Sequence, residues 1–106
     1  MVIEWLKFRV QPDLRETYIQ QDELVWTAAL AKYPGFLGKQ VWISPTETDT
    51  VIFVIQWADR ESWKSIPAKD LALIEQRFLA QVGEGTYALI ETGEYQVRKF
   101  AQPSES

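Results

Sequence analysis

The chain has 106 residues, a formal net charge of −4 and neither cysteine nor histidine. That length fits one ordinary domain with a modest core, and the negative balance argues against a nucleic-acid or anionic-membrane surface. Without those two residue types there is no disulfide, thiolate metal site, Cys nucleophile, Ser-His-Asp chemistry or His-ligated haem.

Five tryptophans, five phenylalanines and four tyrosines are a heavy load for one small core. Such an excess points to a pocket or a subunit interface. Met1-Val2-Ile3-Glu4 lacks the basic and apolar regions of a signal peptide, and no membrane-length apolar run follows, so a cytoplasmic location is expected. One domain is expected over residues 1–100, with a flexible tail over 101–106.

Val2 to Val10 alternates as a strand, with Val2, Glu4, Leu6, Phe8 and Val10 on one face and Ile3, Trp5, Lys7 and Arg9 on the other. Asp13 followed by Glu16 fits a capping box and predicts that a helix starts there. At 100° per residue, Leu14, Tyr18, Val25, Trp26, Ala29 and Tyr33 fall on one stripe of that helix. Asp22 lies near the centre of the stripe, Arg15 lies on the same side, and Leu24 points the opposite way.

Tyr33-Pro34-Gly35-Phe36-Leu37-Gly38 ends the helix and begins a hairpin of strands, Gly35–Ser44 and Thr50–Trp57, around a polar loop centred on Glu47. That register pairs Val41 with Phe53 and Trp42 with Ile52, and puts Gln40 and Gln56 on the face of Trp42 and Val54. The second strand, Val51 to Ile55, is apolar on both faces and so needs cover from both sides.

Asp59 is suited to cap a short helix through Trp63, and Pro67 to open the next. There Leu71, Ile74, Phe78 and Val82 make an apolar stripe that Gly83 and Gly85 stop. Tyr87–Val97 reads as the last strand. The order is βαββαβ, an α+β ferredoxin-like fold with a four-stranded antiparallel sheet. The cheapest cover for its open face is a second copy of the same sheet.

Asp22 is the candidate base: a carboxylate facing an apolar cavity, with a raised pKa, accepts a proton from a bound phenol. The bland alternative, a helix that rolls slightly and leaves Asp22 at the edge of the stripe or paired with Arg15 or a nearby lysine, is the commoner fate of such a residue. Trp26, Trp42, Trp57 and Trp63 are candidate stacking walls, Gln40 and Gln56 candidate pocket or seam residues, and Tyr18 and Tyr33 hydrogen-bonding handles. Each also fits ordinary packing. Neither Asp22-Glu23 nor Asp59/Glu61 makes a metal site, and no phosphate-cradling loop is present.

Tyr33-Pro34-Gly35-Phe36-Leu37-Gly38, with Trp57 followed by Asp59-Arg60-Glu61-Ser62-Trp63, resembles the antibiotic-biosynthesis-monooxygenase-like family of the dimeric α+β barrel superfamily. Within it the chain looks like the short cyanobacterial members. The resemblance covers residues 2–97 and implies a homodimer closed through the open sheet faces, with a cavity in each subunit. Some members oxidise polycyclic aromatics with O₂ and no cofactor; others degrade haem with a His and an Asn. This chain reads Ile74-Glu75-Gln76-Arg77 near the place of that His and has no Asn, so it departs from the haem-degrading pattern. The expectation is a homodimer that binds a small apolar or aromatic molecule and acts, if catalytic, as a cofactor-free monooxygenase. The alternative is a non-catalytic binding or interaction module. No cofactor, nucleic acid or membrane is expected as a partner.

Overall fold

The computed structural model describes residues 1–101. Of the tail expected over 101–106, only Ala101 is described; the rest lies outside the described residues. The strands are β1 (Val2–Val10), β2 (Phe36–Trp42), β3 (Thr50–Trp57) and β4 (Tyr87–Gln96), and the helices α1 (Arg15–Asp22), α2 (Ala28–Leu30), α3 (Arg60–Lys64) and α4 (Ala68–Val82). All neighbours in the sheet are antiparallel, in the order β2-β3-β1-β4. This is the ferredoxin-like α+β fold. No helix among the described residues is long and apolar enough to cross a membrane.

Alternation sets β1, and a run apolar on both faces sets β3. Val51, Phe53, Ile55 and Trp57 of β3 are buried in a core shared with Val10, Tyr18, Ile74 and Phe78. The hairpin register pairs Val41 with Phe53 and Trp42 with Ile52, as the loop length predicts. One irregularity interrupts the hairpin near its start. Between Phe36 and Gly38 the β2–β3 register shifts, so Phe36 lies opposite Trp57, Gly38 opposite Gln56 and Lys39 opposite Ile55. The extra residue, Leu37, reverses the facing of the strand beyond it and turns Lys39 toward the helices. Gly35 holds φ +88° in the preceding turn, and a Cβ there would collide with the Ser62 side chain.

The first helix departs from the expected start. Pro12–Leu14 forms a 3₁₀ turn that leads into α1, and neither Gln11 nor Leu14 caps with its side chain. Asp13 lies inside the turn, so no capping box forms; Pro12, with φ preset for a helix, opens it instead. Between α1 and α2 runs a π turn, Glu23–Thr27. A π turn carries one more residue than an α turn and shifts the phase of everything after it. Tyr18, Asp22 and Val25 are buried in the expected phase, but beyond the turn Leu30 is buried in place of Ala29. Leu24 points outward, 66% exposed.

The second helical region keeps closer to its sequence pattern. The Asp59 side chain accepts from Ser62 N at 2.7 Å and caps α3. Pro67 takes the extended N-cap position before α4 rather than its first turn, and Gly83, at φ 86°, ends that helix.

Candidate functional site

A cavity of about 470 Å³ lies between the helix-side face of the sheet and the helices. Its apolar wall includes Leu6, Phe8, Phe53, Phe78, Tyr18 and Tyr87. The last five of these form a ring cluster with centroids 5.1–6.0 Å apart, Tyr18 at its middle. Trp26, Trp57, Trp63 and Leu71 add to the wall.

The polar groups in this wall are few and specific. Asp22, 3% exposed, is paired with Lys39, whose ammonium also sits 4.2 Å from the centre of the Phe53 ring. Burial holds the Asp22 carboxyl above the ordinary carboxylate range, while the Lys39 charge and hydrogen bond pull the other way. Behind the wall, the buried hydroxyl of Thr27, five residues along and one π turn away, acts on the Asp22 carboxyl in the same direction as Lys39. Glu4 accepts a hydrogen bond from Trp57 Nε1 at 3.2 Å, and burial raises its pKa as well. On α4, Glu75 accepts a hydrogen bond from the Tyr87 hydroxyl. Tyr18 and Tyr87 both hold their phenol protons more tightly than usual, chiefly through burial. At the rim, the Lys64 ammonium lies 4.0 Å from the centre of the Trp63 ring.

Of the residues singled out from the sequence, Tyr18, Asp22, Trp26, Trp57 and Trp63 line this cavity. Four others do not. Gln40, Trp42 and Gln56 lie on the sheet face turned away from the helices, where Trp42 is 47% exposed and donates to Gln40 Oε1 at 3.0 Å. Strand alternation is the reason: Phe53 and Ile55 face the cavity, so Val54 and Gln56 and their partners face away. Tyr33 is carried past the cavity by the end of the helix and donates its hydroxyl to Asp70 Oδ2 at 2.8 Å. Arg15 does not reach Asp22; it donates to the Thr48 carbonyl at 3.1 Å.

Lys39, Glu4 and Glu75 are polar residues of the site that the sequence pattern alone does not single out. For Glu4 the signal is its place between Val2 and Leu6 on the apolar face of β1. For Lys39 it is the hairpin register, which sets it opposite Ile55.

A cavity walled by aromatic rings and set with carboxylates is also where the chain can be compared with known proteins. The structure resembles a monooxygenase from the gene ActVA-Orf6 of Streptomyces coelicolor, solved with nanaomycin D, at a TM-score of 0.73 and 16% identity over 97% of this chain and 92% of that one. It resembles SnoaB, a cofactor-independent oxygenase from Streptomyces nogalater, at 0.65 and 18% over 93% and 94%. A third likeness is to a protein of Chloroflexus aurantiacus J-10-fl named as a candidate antibiotic biosynthesis monooxygenase, at 0.66 and 23% over 95% and 96%. At these identities the likenesses speak for the fold. Among curated proteins, none matches the sequence. The family model for antibiotic biosynthesis monooxygenases matches residues 1–66, which contain β1, the π turn, the hairpin and the Asp22–Lys39 pair, and the chain belongs to that family.

Proposed function

We propose that this domain binds a small, largely apolar aromatic molecule in the cavity and, as a cytoplasmic homodimer, oxygenates it without a cofactor. The observation that supports this reading is the cavity itself, about 470 Å³ walled by rings and bearing carboxylates whose burial raises their proton affinity. Such walls suit a flat, electron-rich ring, and a cavity carboxylate takes the proton that makes the ring a reductant. The anion passes electrons to O₂; a ring methylene becomes a carbonyl, with one oxygen atom retained and the other leaving as water. The cofactor-independent oxygenase among the similar structures supports this chemistry by analogy. Asp22 and Lys39 then form a fixed dipole in the wall, and Asp22 serves as base only where a ligand draws Lys39 away.

The dimer rests on the open sheet face. Trp5 and Ile52, part-exposed, and Trp42, exposed, lie there, and a second copy is the cover this reading assigns. The narrower kinship with short cyanobacterial members belongs to the same reading. Light scattering that gives a monomer mass at micromolar concentration would remove the dimer from it.

The pairing of Lys39 with the candidate base favours a second reading, a non-catalytic binding module. Tryptophan-fluorescence titration with anthrone, then oxygen-electrode measurement and mass spectrometry of the product, separates the two. Binding with O₂ uptake and conversion to anthraquinone supports the oxygenase. Binding without turnover selects the module, and no binding defeats both.

A further inference from the structure

We infer that one end of the cavity is a seat for a zwitterion, Glu4 receiving an ammonium and Lys64 a carboxylate, and that the ligand is an aromatic amino acid. This rests on the binding reading above and names its substrate class.

The short helix α3 sets two cations over two carboxylates of the sheet. Arg60 and Lys64 lie four residues apart and so share one side of α3. Below them, Glu4 of β1 and Glu94 of β4 are direct cross-strand partners, which puts both on the helix-side face. The outer pair is closed, with Glu94 taking Arg60 Nε at 2.8 Å. The inner pair is open. Lys64 pulls on the Glu4 carboxyl more strongly than Lys39 does, yet Lys64 and Glu4 form no ion pair.

Both inner groups line the cavity. Glu4 is half-buried, and its one hydrogen-bond donor among the described residues is neutral, Trp57 Nε1 on Oε1. Lys64 is exposed at the mouth, its ammonium over the Trp63 ring and without an ion pair among the described residues. The other charges of the cavity are engaged, Lys39 by Asp22 and Glu75 by the Tyr87 hydroxyl. One anion and one cation therefore remain at the same end of a ring-walled space. A carboxylate is held about twice as strongly by a charged donor as by a neutral one. A simple acid would answer Lys64 but bring a second carboxylate up to Glu4, and a simple amine would answer Glu4 but crowd Lys64. A ligand carrying both charges on one carbon answers each group and adds no net charge to the site. Its aromatic side chain then enters the cavity past Trp63, which lines the wall and carries Lys64 on its ring.

The test is isothermal titration calorimetry of the full chain with L-tryptophan, tryptamine, indole-3-propionate and 3-ethylindole. These share one ring and carry, in turn, both charges, the ammonium alone, the carboxylate alone and neither. L-Tryptophan should bind about tenfold tighter than either singly charged probe, the worth of one hydrogen bond to a charged group. Lys64→Met should erase its advantage over tryptamine, and Glu4→Gln its advantage over indole-3-propionate. Lys64 is exposed, so if Glu4→Gln fails to fold, Lys64→Met alone decides. The inference is overturned, and the binding reading left standing, if 3-ethylindole binds as tightly as L-tryptophan. A gain from only one of the two charges, or a preference unchanged by Lys64→Met, overturns it in the same way. If none of the probes binds, anthrone separates the two readings. Anthrone bound sinks this inference alone, and anthrone unbound sinks both.

Discussion

Two helical regions lie over the same sheet face, and they are held by different physics. The α4 helix is regular from Ala68 to Val82 and anchors through hydrocarbon, with Ile74 and Phe78 one turn apart and both buried. The first region, from α1 through the π turn to α2, carries Asp22 on its inward face between Tyr18 and Val25. A charge there needs a partner from the opposing layer, and β2 supplies Lys39 through the register shift at Leu37. An inward carboxylate thus makes a helix depend on one residue of another element. It also fixes a polar group in a cavity wall, which a hydrocarbon stripe cannot do.

The difference predicts how each helix fails. Phe78, 1% exposed and in contact with the Tyr18 and Tyr87 rings, anchors α4. Phe78→Ala should cost about 4 kcal/mol in urea denaturation, the usual loss for a buried phenylalanine. A loss under about 1 kcal/mol would mean that α4 is not held by its hydrocarbon stripe.

Lys39→Met removes the partner of Asp22 and leaves a carboxyl buried without a cation. It should cost about 3 kcal/mol by the same measurement. Adding Asp22→Leu removes the orphaned group, and the double variant should return to wild-type stability or above it. If the single and double variants are equally unstable, packing rather than the charge pair holds the first region in place.

The regularity of each region also decides how legible it is. The strands Val2–Val10 and Thr50–Trp57 come from an alternating run and a short run apolar on both faces, and the α4 stripe from period 3.6. All are local signals. The helical period places Ala29 inward, yet Leu30 takes that position, because one added residue in a π turn leaves no periodic trace in the sequence. The pair Asp22–Lys39 depends on two features at once, the phase of the helix and the shift at Leu37, and only the hairpin register hints at the second. Gln40, Trp42 and Gln56 show the converse case. Their shared face is readable, but whether it meets helices or lies open is decided by the tertiary arrangement.

Glu4 is a third inward charge beneath the helices, and unlike Asp22 it has no ion-pair partner, so its effect on stability is the weakest of the three. Burial raises its pKa above the ordinary 4.5, with the Trp57 hydrogen bond and the more distant Lys64 and Lys39 opposing the rise. A carboxyl with a raised folded pKa binds its proton more tightly in the native chain than in the unfolded one. Between 4.5 and the raised value the native state therefore holds more protons, and stability falls as pH rises through that window. The contribution of Glu4 is fully present below the unfolded pKa and lost above the folded one. Asp22 acts in the same direction from its ordinary 3.8, so the difference between variants, not the wild-type curve alone, isolates Glu4. Glu4→Gln keeps an oxygen for Trp57 Nε1 and removes the ionisation. Its melting temperature should match wild type below about pH 4 and exceed it as pH rises, the gap levelling off once the folded-state pKa is passed. Parallel curves would mean that Glu4 ionises as freely in the fold as in water, and Asp22 would then be the cavity carboxylate whose burial raises its proton affinity.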